Sequence, residues 1–75
     1  MTTLDQLQAG ERARIEAVVG DDSIVQRMLE MGLFEGECVE VLGFAPLGDP
    51  MELRLQDYRL SLRRAEAARV RVAVL

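Results

Sequence analysis

Apolar residues alternate with charged ones through most of this chain, and the period changes once to that of a helix. In "RARIEAVVG", Ala13, Ile15, Ala17 and Val19 fall on one face and Arg12, Arg14 and Glu16 on the other. A period of two predicts a strand. In "GDDSIVQRMLEMGLFEG", Ile24, Val25, Met28 and Leu29 recur at helical spacing, with Gln26, Arg27 and Glu30 between them. Asp22 or Ser23 can accept hydrogen bonds from the free amides of the first turn, and Ser23 with Gln26 has capping-box spacing. Asp21 and Asp22 also suit the positive end of the helix dipole. Gly32 fits the left-handed position that ends a helix, with Leu33 folding back onto the last turn.

Beyond Glu37 the alternation returns. Val39 and Val41 alternate with Glu40, while Leu42 and Phe44 make the opposite face partly apolar. Met51, Leu53 and Leu55 alternate with Glu52, Arg54 and Gln56; Tyr58, Leu60 and Leu62 alternate with Arg59, Ser61 and Arg63. The apolar parity changes across Gln56 and Asp57, as a tight hairpin requires. "RRAEAA" predicts a single helical turn, and Val70, Val72 and Val74 a last strand. The opening "LDQLQAGE", with Leu4 and Leu7 three apart before Gly10, predicts one helical turn or a covering loop.

Five short strands with one helix between the first and second leave no room for the crossovers of a parallel sheet. The expected fold is mainly β: a small, strongly bent antiparallel barrel spanning residues 1–75 as a single domain, one open end capped by Val25, Met28 and Leu29. The mixed apolar face of Cys38, Leu42 and Phe44 leaves room either for weak self-association or for a covering helix.

Composition changes the picture mainly by exclusion. The chain has 75 residues, 49% of them hydrophobic, enough for one core. A single cysteine rules out an internal disulfide, and no apolar run approaches a membrane span, so a cytoplasmic domain is expected. Thirteen acidic residues face nine arginines, for a net charge of −4, which argues against nucleic acid and against direct docking on an anionic membrane. Arg59, Arg63, Arg64 and Arg69 read as a solvated face. The chain has no histidine and no lysine, hence no usual proton-transfer residue and no P-loop cation, and Cys38 has no histidine base. No enzyme activity, catalytic residue or cofactor is expected.

For metal, Cys38 with Glu40, or Met28 with Met31, could each donate two ligands, and Asp21, Asp22 and Asp49 could add oxygens. Two ligands make a weak site, and the simpler reading makes Cys38 a small buried hydrophobe and the methionines core filler. "PLGDP" carries both prolines of the chain. Pro46 and Pro50 fix their own φ and restrict Ala45 and Asp49 to extended backbone, while Gly48 permits a positive φ. Asp49 can bond to its own loop amides or meet a partner. Leu47 is then either tucked into the core or presented at the tip.

The stretch "RMLEMGLFEGECVEVLGFAPLGDPMELRLQDYRLSLRRAEAARVRV" resembles the FeoA family of bacterial ferrous iron uptake. The resemblance runs from Arg27 to Val72 almost without a gap, is most specific in "PLGDP…LSLRRAEA", and departs at Glu35, where the family often has proline. It implies an SH3-like barrel and association with the cytosolic side of the membrane iron transporter FeoB, which brings its own nucleotide chemistry. The same fold occurs as the C-terminal domain of iron-dependent repressors, whose DNA-reading helix-turn-helix has no counterpart here. The expected contact surface joins the helix end (Arg27, Met31, Leu33, Phe34) to the proline loop (Pro46, Leu47, Gly48, Asp49, Pro50). The alternative is a metal-responsive module working through Cys38, Glu40 and acidic loops.

Overall fold

A computed structural model describes all 75 residues, Met1–Leu75. The elements are β1 (Thr2–Thr3), a 3-10 turn (Leu4–Gln6), β2 (Arg12–Val18), α1 (Ser23–Glu30), β3 (Cys38–Phe44), β4 (Met51–Leu55), β5 (Tyr58–Leu62), α2 (Arg64–Ala67) and β6 (Val70–Val74). All six strands form one antiparallel sheet in the order β1-β6-β2-β3-β4-β5. β5 and β1 end that order and do not pair, so the barrel is open between them. β1 adds a sixth strand to the five expected; it is two residues long, pairing Thr2 with Val72 and Thr3 with Arg71. Two threonines carry no readable alternation.

The core gathers Ala13 and Ile15 from β2, Val39 and Val41 from β3, Met51, Leu53 and Leu55 from β4, Leu62 from β5, and Val70 and Val72 from β6. Leu4 and Leu7 of the opening segment are buried with them, which makes that segment a plug. Two bulges break the expected alternation. A register shift between Ile15 and Ala17 turns Val18 toward the core and leaves Val19 exposed, the reverse of the expectation. A second shift, between Val41 and Gly43, sets Phe44 opposite Met51, so Phe44 packs against the core. One inserted residue inverts every later side chain of a strand with period two. The hairpin register is as expected, with Leu55 opposite Tyr58 and Met51 opposite Leu62 across the two-residue turn Gln56–Asp57.

The cap of α1 is Asp22, whose carboxylate accepts from the Val25 amide at 3.3 Å; Ser23 is already helical, so the Ser23–Gln26 capping box does not form. Val25 and Met28 are buried and Leu29 is partly buried, as expected, whereas Ile24 is exposed. At the other end the Leu33 amide donates to Met28 O (3.1 Å) and the Gly32 amide to Leu29 O (3.0 Å). With Gly32 at φ +100°, this is a Schellman motif.

Arg69 holds the Asp22 cap from β6's approach, donating to its carboxylate at 2.8 and 3.1 Å and to Val19 O at 3.1 Å. That hydrogen bond, with the Val25 amide second, keeps the Asp22 pKa below the ordinary aspartate value. A depressed folded-state pKa means stability that is fully present above the unfolded value, about pH 4, and lost as pH falls through the folded value. Asp22→Asn is expected to flatten the acid side of the stability profile. Thermal melts of both proteins between pH 2 and pH 6, an interval set around about pH 4, check this. Parallel profiles would remove the linkage.

Candidate partner-binding site

The residues Ala45–Pro50 close on themselves: the Ala45 amide donates to Pro50 O at 3.0 Å and the Gly48 amide to Ala45 O at 2.7 Å. Gly48 takes φ +86°, and the Asp49–Pro50 peptide is cis. Leu47 is 97% exposed, so it is presented at the tip and not tucked into the core. Asp49 does not bond to its own loop amides; it accepts from the Arg64 amide at 2.9 Å.

Arg64 is the residue that sequence reading missed. Its guanidinium donates to Gly48 O (3.1 Å) and to Asp5 O (3.0 Å), and it lies 5.0 Å above the Phe44 ring. One side chain of α2 therefore ties the proline loop to the opening segment and covers the aromatic ring. Nothing in "RRAEAA" distinguishes Arg64 from Arg63, so the periodicity carried no signal for it. Arg64 and Arg69 thus act as clamps, correcting the expectation of a uniformly solvated arginine face.

At the helix end the expected residues divide. Leu33 has no exposed surface and belongs to the core, so it cannot meet a partner; the Schellman turn buries it. Phe34 is 51% exposed. Arg27 is ion-paired with Glu66 of α2, and the backbone oxygen of Met31 accepts the Tyr58 hydroxyl at 2.7 Å. Arg27, Met31 and Pro50 line a shallow cavity of about 350 Å³ with Ser61, Arg63 and Glu66. The fold therefore brings part of the helix end together with the base of the proline loop, while Leu47 and Phe34 stand outside this cavity.

Candidate metal ligands are dispersed. Cys38 is exposed, not buried as the simpler reading had it, and shares a cavity of about 230 Å³ with Arg12, Glu40 and Arg54. Glu40 is bonded to Arg54 at 2.5 Å, and Asp22 and Asp49 are engaged by Arg69 and Arg64. Met28 is wholly buried, which removes the Met28–Met31 pair. No three cysteine or carboxylate side chains converge.

The six-stranded sheet, bent around one core and capped by α1, is an SH3-like barrel. The chain belongs to the FeoA family: the FeoA domain matches residues 2–74. It is 40% identical over 72 residues to an Fe(2+) transport protein A/Fe(2+) transporter FeoB fusion protein of Porphyromonas gingivalis, covering 96% of this chain and 8% of that protein. It thus spans less than a tenth of the curated relative. The solution structure of FeoA from Chlorobium tepidum superposes with a TM-score of 0.90 at 38% identity, covering 99% of this chain and 70% of that one. The crystal structure of Stenotrophomonas maltophilia FeoA complexed with zinc, described as a prokaryotic SH3 domain protein, gives 0.85 at 32% identity over 97% and 91%. A manganese-dependent transcriptional repressor reaches 0.90 at 13% identity over 99% of this chain and 36% of that one, a likeness of fold alone.

Proposed function

We propose that the chain is a non-enzymatic accessory of ferrous iron uptake, acting in the cytoplasm by contact with the FeoB transporter. The observation that carries this reading is the Porphyromonas gingivalis relative, in which an FeoA sequence and FeoB are one polypeptide. Fusion of this kind supports direct association of the separate chains. The contact surface is the proline loop and the adjoining helix end. Leu47 at the tip of a loop fixed by Arg64 and its own backbone bonds is suited to that role, since a preorganised apolar tip loses little entropy on docking.

Leu47→Asp tests it. The side chain is almost wholly exposed, so folding should be unchanged by circular dichroism. Capture of FeoB from detergent extract by the tagged chain is expected to fall at least about tenfold, the scale of a buried interface anchor. Capture by the unaltered chain should survive chelator. Failure of the unaltered chain to capture the transporter would contradict the partner role, and equal capture by both would move the interface off the loop.

The zinc complex of the Stenotrophomonas maltophilia relative supports a second reading, a metal-responsive module. Cys38 is the accessible thiol on which it would rest. It requires saturable divalent binding that Cys38→Ala abolishes. Unchanged binding in that variant would dismiss Cys38 as a ligand.

A further inference from the structure

β5 is an end strand of the sheet, with the end of α1 set against it, among the hydrogen bonds, only through the Tyr58 hydroxyl's bond to Met31 O. It pairs only with β4, through a two-residue hairpin in which Leu55 faces Tyr58, Leu53 faces Leu60 and Met51 faces Leu62. In that register Tyr58, Leu60 and Leu62 turn their backbone N–H and C=O groups toward β4, and Arg59 and Ser61 turn theirs outward. No turn, loop or cap hydrogen bond of the backbone uses Arg59 or Ser61. On one side of this edge lies the cavity lined by Arg27, Met31, Ser61 and Arg63.

The edge carries a cationic excess around one carboxylate, Glu52 of β4, which lies opposite Ser61 and accepts its hydroxyl at 3.0 Å. Arg54 is directly opposite Arg59 but is committed to Glu40, and Arg27 is committed to Glu66. Arg59 and Arg63 form no ion pair and donate no side-chain hydrogen bond. Arg59 lies in β5 and Arg63 just past its end, as the still-extended cap residue of α2, four residues on and about 13 Å away at strand rise, with Ser61 between them. Such charges hinder a second copy of the chain from pairing here, since Arg59 would meet arginine across the new ladder. An acidic strand meets the opposite sign.

We infer that β5 accepts an extended acidic segment of a partner protein as an added antiparallel strand. The segment places acidic side chains four residues apart beside Arg59 and Arg63, and apolar side chains on the alternate face toward Met31. Main-chain bonds to Arg59 and Ser61 supply the pairing, and the two arginines select the sequence. This deepens the partner reading and uses a surface separate from Leu47.

The probe is the peptide acetyl-GEVTVEG-amide, titrated into the full chain and followed by amide NMR. Saturable shifts are expected at the Arg59 and Ser61 amides, weakening with salt. Arg59→Glu should weaken binding about fivefold, a cross-strand attraction turned to repulsion. Ser61→Pro deletes an outward N–H that β4 does not use, so it should keep the fold and lose the peptide. A lysine-for-glutamate peptide, and one N-methylated along its backbone, should both fail to bind. Absence of shifts on β5, or equal binding of either control peptide, would overturn the inference. Capture of FeoB by Ser61→Pro at the level of the unaltered chain would also overturn it, while leaving the partner reading intact. Peptide binding without FeoB capture would uphold the strand addition and count against the partner reading alone.

Discussion

Gly32→Ala is expected to destabilise the domain by about 2–3 kcal/mol. Two effects add. Gly32 sits at φ +100°, where an L side chain is strained, at a cost of roughly 1–2 kcal/mol. A Cβ at this position would also lie 2.0 Å from the Tyr58 hydroxyl oxygen. The ring must then swing away and give up its 2.7 Å bond to Met31 O, worth about 1 kcal/mol. A chain of 75 residues has a stability of roughly 4–11 kcal/mol, so the loss is a large share of it, visible as a fall in melting temperature of about 10–20 °C. Tyr58→Phe alone should cost only the hydrogen bond. In that background Gly32→Ala should cost about 1 kcal/mol less than in the unaltered chain, because no hydroxyl remains in the way. Denaturant unfolding of the four proteins completes the cycle. Strict additivity would place the whole effect in the backbone.

Glu66→Ala is expected to cost about 2–3 kcal/mol. The side chain is only 8% exposed and serves two elements at once. One carboxylate oxygen accepts the Arg63 amide at 3.1 Å, closing the first turn of α2, and the other accepts Arg27 of α1. Truncation removes the cap bond to the Arg63 amide, worth about 1 kcal/mol, strips the packing of a side chain that is largely buried, and frees α1 from α2. The ion pair adds less than a fully buried one would, because Arg27 is largely solvated. Glu66→Gln keeps one acceptor, enough for the Arg63 amide, and sets an NH2 donor against Arg27, so it should retain the cap, lose the ion pair and cost about half as much. Equal losses for the two substitutions would assign the effect to charge alone.

The parts of the fold that obey a simple period were legible in the sequence. Met51, Leu53 and Leu55 facing Leu62, Leu60 and Tyr58 could be written down to the register, since a two-residue turn and parity leave one solution. The Gly32 ending of α1 was legible for the same reason: one residue type fits the required φ. Reading failed where a single residue shifts the register. Val18 and Phe44 reached the core because of bulges that no local composition announces. It failed again where long-range partners decide a side chain's role. Leu33 looked available to a partner until the helix end folded over it, and Cys38 looked buried until the ladder placed it outward beside Arg14. Arg64 and Glu66, which organise the candidate site, depend on Gly48, Asp5 and Arg27, between 16 and 59 residues away in the chain. The resemblance to FeoA supplied the family; the exposure of Leu47 and the bracing by Arg64 required the structure.

Association with FeoB through the proline loop is most directly tested by site-specific photo-cross-linking in cells that express both proteins. A photoreactive amino acid is placed at position 47, and at position 16 on the exposed face of β2 as a control. The expected result is a transporter adduct from position 47 and none from position 16. Absence of an adduct from position 47, with the altered chain folded and expressed, would contradict docking through the loop, as would adducts of equal yield from both positions.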